Sequence, residues 1–274
     1  MGKISRKRVH KKSDKKLFDK YELYLKSVQS PENDVEFLEK VYKELKGKAP
    51  KTFREDFCGT FVLSQEWIKL NRKYVAHSVD IDPEPLAYGI KKYFDHLNSD
   101  QQSRLHIHEK NVLEPGLPEA DISVAMNFSY FVFKKREVMK AYFSNCHKSL
   151  NTGGIHVIDL FGGSLCQEEN EEQTKLKNFT YYWDQASFDP VSHDAKFYIH
   201  FKVKGQPKAE KVFSYDWRMW TIPELRDLLL EVGFKKTHVY WEGTTKKGEG
   251  DGNFTRTEKG EECQSWIAYI VSEK

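Results

Sequence analysis

Residues 54–67, REDFCGTFVLSQEW, place two adjacent carboxylates, one glycine and one hydroxyl just ahead of a helix-forming run. A turn between a strand and a helix, at the carboxyl edge of a parallel sheet, is where open α/β folds bind ligands. A dinucleotide or nucleoside triphosphate needs closely spaced glycines, so that backbone N–H groups can wrap its phosphates. Neither GxGxxG nor a GxxxxGKS/T loop occurs here. Glu55 and Asp56 would repel a pyrophosphate and favour a cation, while Gly59 permits close approach by something bulky.

A second acid, Asp80, ends the apolar run YVAHSVDI, 24 residues after Asp56. A carboxylate at the end of the next strand can accept both hydroxyls of a ribose. Ile81 follows it beside the same site, and Asp82 reads as the cap of a helix with Pro83 at its first position. Asn111 and Val112, at the end of a third strand, offer an amide and a backbone N–H to an adenine edge. Asn127, Ser129 and Tyr130, in MNFSY, close a fourth strand where a reacting centre would lie. Farther on, His200 and Arg218 are the polar residues of an aromatic-rich region best able to act as a base or to meet a substrate carboxylate.

Together these residues call for a ligand with an adenosine, a positive centre and no phosphate. S-adenosylmethionine meets that description. On these motifs the chain resembles the class I S-adenosylmethionine-dependent methyltransferases, over roughly residues 48–274. Their first motif reads acid–x–Gly–x–Gly–x–Gly. Aligned on Cys58-Gly59-Thr60, Glu55 takes the acidic place and Gly59 the middle glycine, with Phe57 and Phe61 in the outer glycine positions. Either Glu55 or Asp56 is the working acid. The resemblance implies cofactor contacts from Arg54, Glu55, Asp56, Cys58, Gly59, Thr60, Asp80, Ile81, Asn111, Val112, Asn127 and Ser129. It also implies a closing helix with Tyr21 and Tyr24, from the YELY segment. The layout is similar to that of small-molecule enzymes such as the sugar N-methyltransferase and glycine N-methyltransferase groups, in which an antiparallel sheet roofs the substrate pocket. It implies methyl transfer to a small-molecule N or O acceptor by in-line displacement, with no metal.

The elements that would position these residues follow from periodicity. Leu17, Phe18, Tyr21, Leu25 and Val28 recur at helical spacing, as do Phe37, Leu38, Val41, Tyr42 and Leu45 before Gly47. Asn33, three residues before Glu36, reads as the N-cap of the second helix. From residue 50, short apolar runs (TFRED, YVAHSVDI, RLHIHEKNV, DISVAMNF, GIHVIDLF) alternate with longer amphipathic ones. That alternation predicts a Rossmann-like α/β fold: a mostly parallel, seven-stranded sheet with helices on both faces. Residues 167–178 read as an exposed loop, and FTYYWDQASF, AKFYIHFKVKG and EKVFSYDWRMW as an inserted antiparallel β-sheet lid. TIPELRDLLLEVGF is then a helix capped by Thr221, and KKTHVYWEG and SWIAYIVSE a final hairpin. The expected organisation is a basic tail at 1–16, N-terminal helices at 17–47, a cofactor domain at 48–163 and 217–274, and a lid at 164–216.

The totals agree with such a domain. The chain has 274 residues, 39% of them hydrophobic and 31% charged, and a net charge of +3. There is no 18-residue apolar stretch and no apolar run behind the basic start, which points to a cytoplasmic protein with no membrane association. Four scattered cysteines with no CxxC pair read as reduced thiols. The tail KISRKRVHKKSDKK makes a nucleic-acid methyltransferase the first alternative, although the fourth motif is NFSY and not the DPPY type of base amino methylation. A non-catalytic binding protein on the same fold is the second. The assembly is expected to be a monomer or a homodimer.

Overall fold

The computed structural model describes residues 18–245, 248 and 250–274. The basic tail and Leu17 lie outside the described residues.

Two helices open the fold, α1 (Lys20–Val28) and α2 (Pro31–Lys46). Asp19 caps α1 by accepting from the Tyr21 and Glu22 N–H groups, both at 3.1 Å. The second helix begins earlier than expected. Pro31 already has its φ fixed for a first turn, so Ser30 stands at the N-cap and Asn33 lies inside the helix, where its amide donates to Ser30 Oγ. Gly47, in the left-handed region at φ 64°, ends it as predicted.

The alternating units follow as β1 (Thr52–Asp56), α3 (Val62–Leu70), β2 (Val75–Asp80), α4 (Pro83–Lys92), α5 (Ser99–Arg104), β3 (Leu105–Glu109), β4 (Ala120–Ala125), α6 (Arg136–Ser149) and β5 (Leu150–Gly162). The lid strands are β6 (Asn170–Lys175), β7 (Phe179–Phe188), β8 (Asp194–Val203) and β9 (Ala209–Arg218). The chain returns through α7 (Ile222–Glu231), β10 (Lys236–Thr244), β11 (Gly250–Thr257) and β12 (Trp266–Glu273). Asp82 caps α4 and Thr221 caps α7 through its side chain, the latter in a reciprocal box with Glu224, as the sequence predicts.

The main sheet has the order β11-β10-β12-β5-β4-β1-β2-β3. β1 to β5 are parallel, and β12 runs antiparallel between β5 and β10. Seven of these strands are the expected ones. The eighth, β11, lies between KKTHVYWEG and SWIAYIVSE, the two segments expected to form a hairpin, and pairs along the free edge of β10. Its glycines and charges hide a strand whose stability comes from edge pairing, with little side-chain burial. The four-stranded antiparallel lid, β6-β7-β8-β9, likewise has one strand more than expected. β6 is the polar segment read as a loop; it is an edge strand carrying NEEQTK, and such charges protect an edge from pairing with another chain. The short α5 was also not foreseen. The third strand ends at Glu109, so Asn111 and Val112 sit in the turn beyond it.

Apolar side chains fill both faces of the sheet. Val35, Leu38, Trp67 and Leu86 of α2, α3 and α4 cover one side, against Phe53, Ala76, Val124 and Tyr269. Met139, Phe143, Leu225 and Leu228 of α6 and α7 cover the other. Among the described residues no helix is long and apolar enough to cross a membrane.

Candidate functional site

The strand order reverses between β1 and β4, and the loops at their carboxyl ends open a crevice there. The lid sheet stands over it, and α1 straps the two together. Tyr24 packs on Phe213 of the lid (5.1 Å between ring centroids), while the Tyr88 hydroxyl of α4 donates to Asp19 (2.7 Å) and Lys20 pairs with Glu84 (2.8 Å).

The turn after β1 is built around three left-handed residues at alternate positions: Phe57 (φ 58°), Gly59 (φ 53°) and Phe61 (φ 51°). These are the places of the three glycines in the motif aligned above. The backbone path of a glycine-rich turn is therefore present although two of its glycines are phenylalanines. Each non-glycine residue there costs about 1–2 kcal/mol of backbone strain. Packing offsets it: Phe61 is fully buried, and Phe57 lies against Phe133 and Tyr142, at 5.7 and 5.5 Å between centroids.

Strand alternation separates the two acids of the turn. Glu55 points to the crevice side, where its Oε2 accepts from the N–H (3.0 Å) and hydroxyl (2.6 Å) of Ser64 in the first turn of α3. Asp56 points to the opposite face. There it is fully buried with Arg54, which donates to it at 2.8 and 3.2 Å, and with the Tyr142 hydroxyl at 3.0 Å. Arg54 also donates to the Pro118 carbonyl and to Ser149. The structure thus keeps Arg54 and Asp56 out of the crevice, in an ion pair that ties β1 to α6.

Three cavities follow one another along the crevice. The first, about 560 Å³, is lined by Asp80, Ile81, Asn111, Val112, Asn127 and Ser129. Asp80 Oδ2 accepts from Gly59 N–H (2.7 Å) and Oδ1 from Asp82 N–H (2.9 Å), so each oxygen keeps a lone pair free for a ligand hydroxyl. Ile81 is 63% exposed and Val132 50% exposed on this cavity, where they offer apolar surface to a flat group. Asn111 Oδ1 accepts from Leu113 N–H (2.9 Å), leaving its NH2 group as donor. The second cavity, about 250 Å³, is lined by Tyr21, Glu55, Cys58, Gly59 and Thr60 among others. The third, about 480 Å³, lies beneath the lid. Tyr24, Asn127 and Tyr215 line all three.

The electrostatics of the crevice are acidic. Burial raises Glu55 to about 8, opposed by its bonds to Ser64 and reinforced by Asp80 and Asp34. Burial also raises Asp159 to about 7, Asp34 to about 6, and Asp80 above its ordinary value. Desolvation is the largest cause for each of these carboxylates, and a positive ligand beside them would oppose it.

Asp159 is a site residue the motifs did not disclose. It projects from β5, and its two oxygens accept from the N–H groups of Asn127 (2.7 Å) and Phe128 (3.0 Å). Both of those residues are left-handed, at φ 57° and 58°, so Asp159 holds the turn after β4 in a strained form. Its one sequence signal is an acid inside the otherwise apolar run HVIDLF. Tyr215 and Asp34 gave none, being an aromatic among many and an acid in a helix's first turn.

None of the three residues expected to be catalytic reaches the crevice. β8 turns Phe197, Ile199 and Phe201 toward the protein, whereas His200 lies on the outer face of the lid. There Nε2 meets Asp184 (3.0 Å) and Nδ1 accepts from Lys211 N–H (2.7 Å). With Glu171, these two make a trio close enough for a metal ion. The Lys211 bond, however, places the proton of the neutral ring on Nε2, the nitrogen a metal would need. Arg218 stacks over Trp220 (3.8 Å) and pairs with Glu224 (2.8 Å), which joins the lid to α7. Tyr130 is fully buried and donates to the Asp159 carbonyl (2.8 Å).

No protein-family model matches the sequence, and no curated protein matches it. Its fold does match solved structures. A S-adenosylmethionine-dependent methyltransferase from Clostridium acetobutylicum is 14% identical, with a TM-score of 0.65 over 92% of this chain and 96% of that one. An amino pentose methyltransferase from Micromonospora echinaspora, involved in calicheamicin biosynthesis and solved with S-adenosylmethionine, is 12% identical at TM-score 0.65, covering 93% and 97%. A sugar N-methyltransferase from Streptoalloteichus is 13% identical at TM-score 0.62, covering 100% and 99%. The fold is therefore shared with these structures over 92–100% of the chain.

Proposed function

We propose that the chain is a S-adenosylmethionine-dependent methyltransferase acting on an amine of a small molecule. The observation that carries this is Asp80. It is an acid at the end of β2, fixed by two backbone N–H groups with lone pairs to spare, beside a turn that lacks a phosphate-binding glycine pattern. The residues present fit the cofactor. Asp80 would take the ribose hydroxyls, and Ile81, Val112 and Val132 the faces of the adenine. Glu55 and the open space over Gly59 would take the positively charged amino-acid end.

When bound, the cofactor supplies an electrophilic methyl group on a sulfonium. The chain supplies position and a dry, negative environment. Tyr24, Asn127 and Tyr215 stand where all three cavities meet, between the cofactor's space and the acceptor's. An amine must be neutral to attack, so its proton has to leave first. Asp159, raised to about 7 and lining the acceptor cavity, is placed to hold that proton. Tyr181, Trp183 and Trp217 add aromatic faces, each worth about 0.5–2 kcal/mol to a cationic product. The choice of an amine follows two neighbours in fold, an amino pentose methyltransferase and a sugar N-methyltransferase.

Calorimetry with S-adenosylmethionine, S-adenosylhomocysteine, ATP and NAD is the test. Saturable binding of the first two alone is expected. Failure of both to bind would remove the proposal.

A further inference from the structure

Three of the ten histidines share one face of β2 and β3, the strand pair at the edge of the main sheet. His77 of β2 is paired in register with His106 of β3, and Val79 with His108, so strand alternation points all three imidazoles the same way. Ala76, Leu105 and Ile107 point the other way, into the core with Trp67 of α3 and Leu86 of α4. The histidine face stays partly open to solvent: His106 is exposed, and His77 and His108 are half-buried. The methyl-transfer reading uses none of the three.

His77 Nδ1 and His108 Nε2 face each other at 3.1 Å. Two nitrogens each about 2.0–2.1 Å from one ion, at ligand angles of about 90–110°, stand about 2.9–3.4 Å apart. The pair therefore already has the spacing of two ligands on one metal. His106 lies over the His77 ring, at 4.9 Å between centroids and 21° between planes, which holds that ring's orientation without aiming a third nitrogen at the shared point. Tautomer separates this pair from His200. There a backbone N–H fixes the proton on the wrong nitrogen. Among the described residues, His77 and His108 bond only to each other through their rings, so each can carry its proton on its outward nitrogen. Burial, helped by the neighbouring imidazoles, lowers His77 to about 4 and also lowers His108, so both rings are neutral at pH 7.5. Lys110 adds positive charge near His108, although its amine is turned to the Pro115 and Gly116 carbonyls at 2.8 and 3.0 Å.

We propose that His77 and His108 form a two-histidine site for a zinc-type divalent ion, which cross-links the edge strand β3 to β2. Two imidazoles and no oxygen ligand select a borderline transition metal over Mg2+ or Ca2+. The ion takes one lone pair from each facing nitrogen, and water fills its remaining positions. The proton now shared between the rings moves to the outward nitrogen of the ring that donates it, so at neutral pH there is no net proton release. β3 has a sheet neighbour on one side only, and the cross-link adds a second tie to that neighbour. The site does not depend on the methyl-transfer function.

The test titrates the full chain with ZnCl2 at pH 7.5 by calorimetry, in a buffer that does not chelate. A saturable site is expected, with His77→Ala and His108→Ala each lowering its affinity 10-fold or more and His200→Gln leaving it unchanged. Because an alanine can loosen strand pairing, a second measurement uses the unaltered chain. Imidazole 15N resonances should show zinc shifting His77 Nδ1 and His108 Nε2 together. Absence of saturable zinc binding, shifts confined to other histidines, wild-type affinity in both alanine variants, or a loss in His200→Gln alone overturns the proposal.

Discussion

The ring of Phe61 fills the space that a side chain at residue 89 would need: a Cβ on Gly89 falls 2.5 Å from Phe61 Cε1 and 2.5 Å from the Thr60 carbonyl oxygen. Gly89 sits inside α4, where alanine would ordinarily gain about 1 kcal/mol. Here the sign should reverse. Gly89→Ala must push on the turn that carries Gly59 and Thr60, and overpacking of this kind costs about 1–3 kcal/mol. A lower melting temperature together with weaker S-adenosylmethionine binding is expected; a stabilised variant with unchanged binding contradicts the coupling.

Gly59 separates stability from binding. Its φ of 53° disfavours a side chain by about 1–2 kcal/mol, yet a Cβ there meets no atom within 4 Å. Gly59→Ala should therefore still fold, while its methyl group enters the space reserved for the cofactor. Thermal melting should show a modest loss and calorimetry at least a 10-fold loss of affinity. Retained affinity would place the cofactor elsewhere.

Asp80→Asn tests the ribose assignment with almost no change in volume. The amide keeps one acceptor oxygen and turns an NH2 toward either the Gly59 or the Asp82 N–H. Two charge-assisted hydrogen bonds to a ribose, each worth about 1.5–3 kcal/mol, would be lost or weakened. Cofactor affinity should fall about 100-fold or more, with the circular dichroism spectrum unchanged. Wild-type affinity in this variant would rule the assignment out.

Stability should fall as pH rises between about 4 and 8. Glu55 and Asp159, held near 8 and 7 by burial, keep protons in the folded state that the unfolded chain has already released. Their contribution is complete below the ordinary carboxylate range and is lost as pH climbs through the raised values. In a chain of this size each kcal/mol moves the melting temperature by about 2–4 °C. The melting temperature of the ligand-free protein is expected to drop between pH 5 and pH 8, and Glu55→Gln to flatten the slope. A flat or rising profile in the wild type would refute uncompensated burial of these acids.

Features that depend on near neighbours in the chain could be read without a structure. Asp82 and Thr221 cap their helices because a cap and its first turn are contiguous. Asp80 stands at the end of β2 because an apolar run ends there. Even the left-handed turn was foreseeable in position, since Phe57 and Phe61 occupy aligned glycine places, although only the coordinates show that they adopt a glycine's backbone. Asn33 failed as a cap because proline at position 31 starts the helix first. β6 and β11 were missed because edge strands are held by backbone pairing, which leaves little mark on side-chain pattern.

Amino-acid order alone determined the alternation of strands and helices and the place of the ligand crevice. These follow from local periodicity and from the few ways such units can pack. Tertiary structure decided which side chains the crevice receives. β1 alternates regardless, but only the packing of α3 and α6 on opposite faces sends Glu55 to the crevice and Asp56 to Arg54. β8 alternates too, and its phase against the sheet leaves His200 outside. The cavity under the lid draws Asp34, Asp159, Glu172 and Glu242 from four elements remote in the chain, so their shared environment exists only in the folded protein.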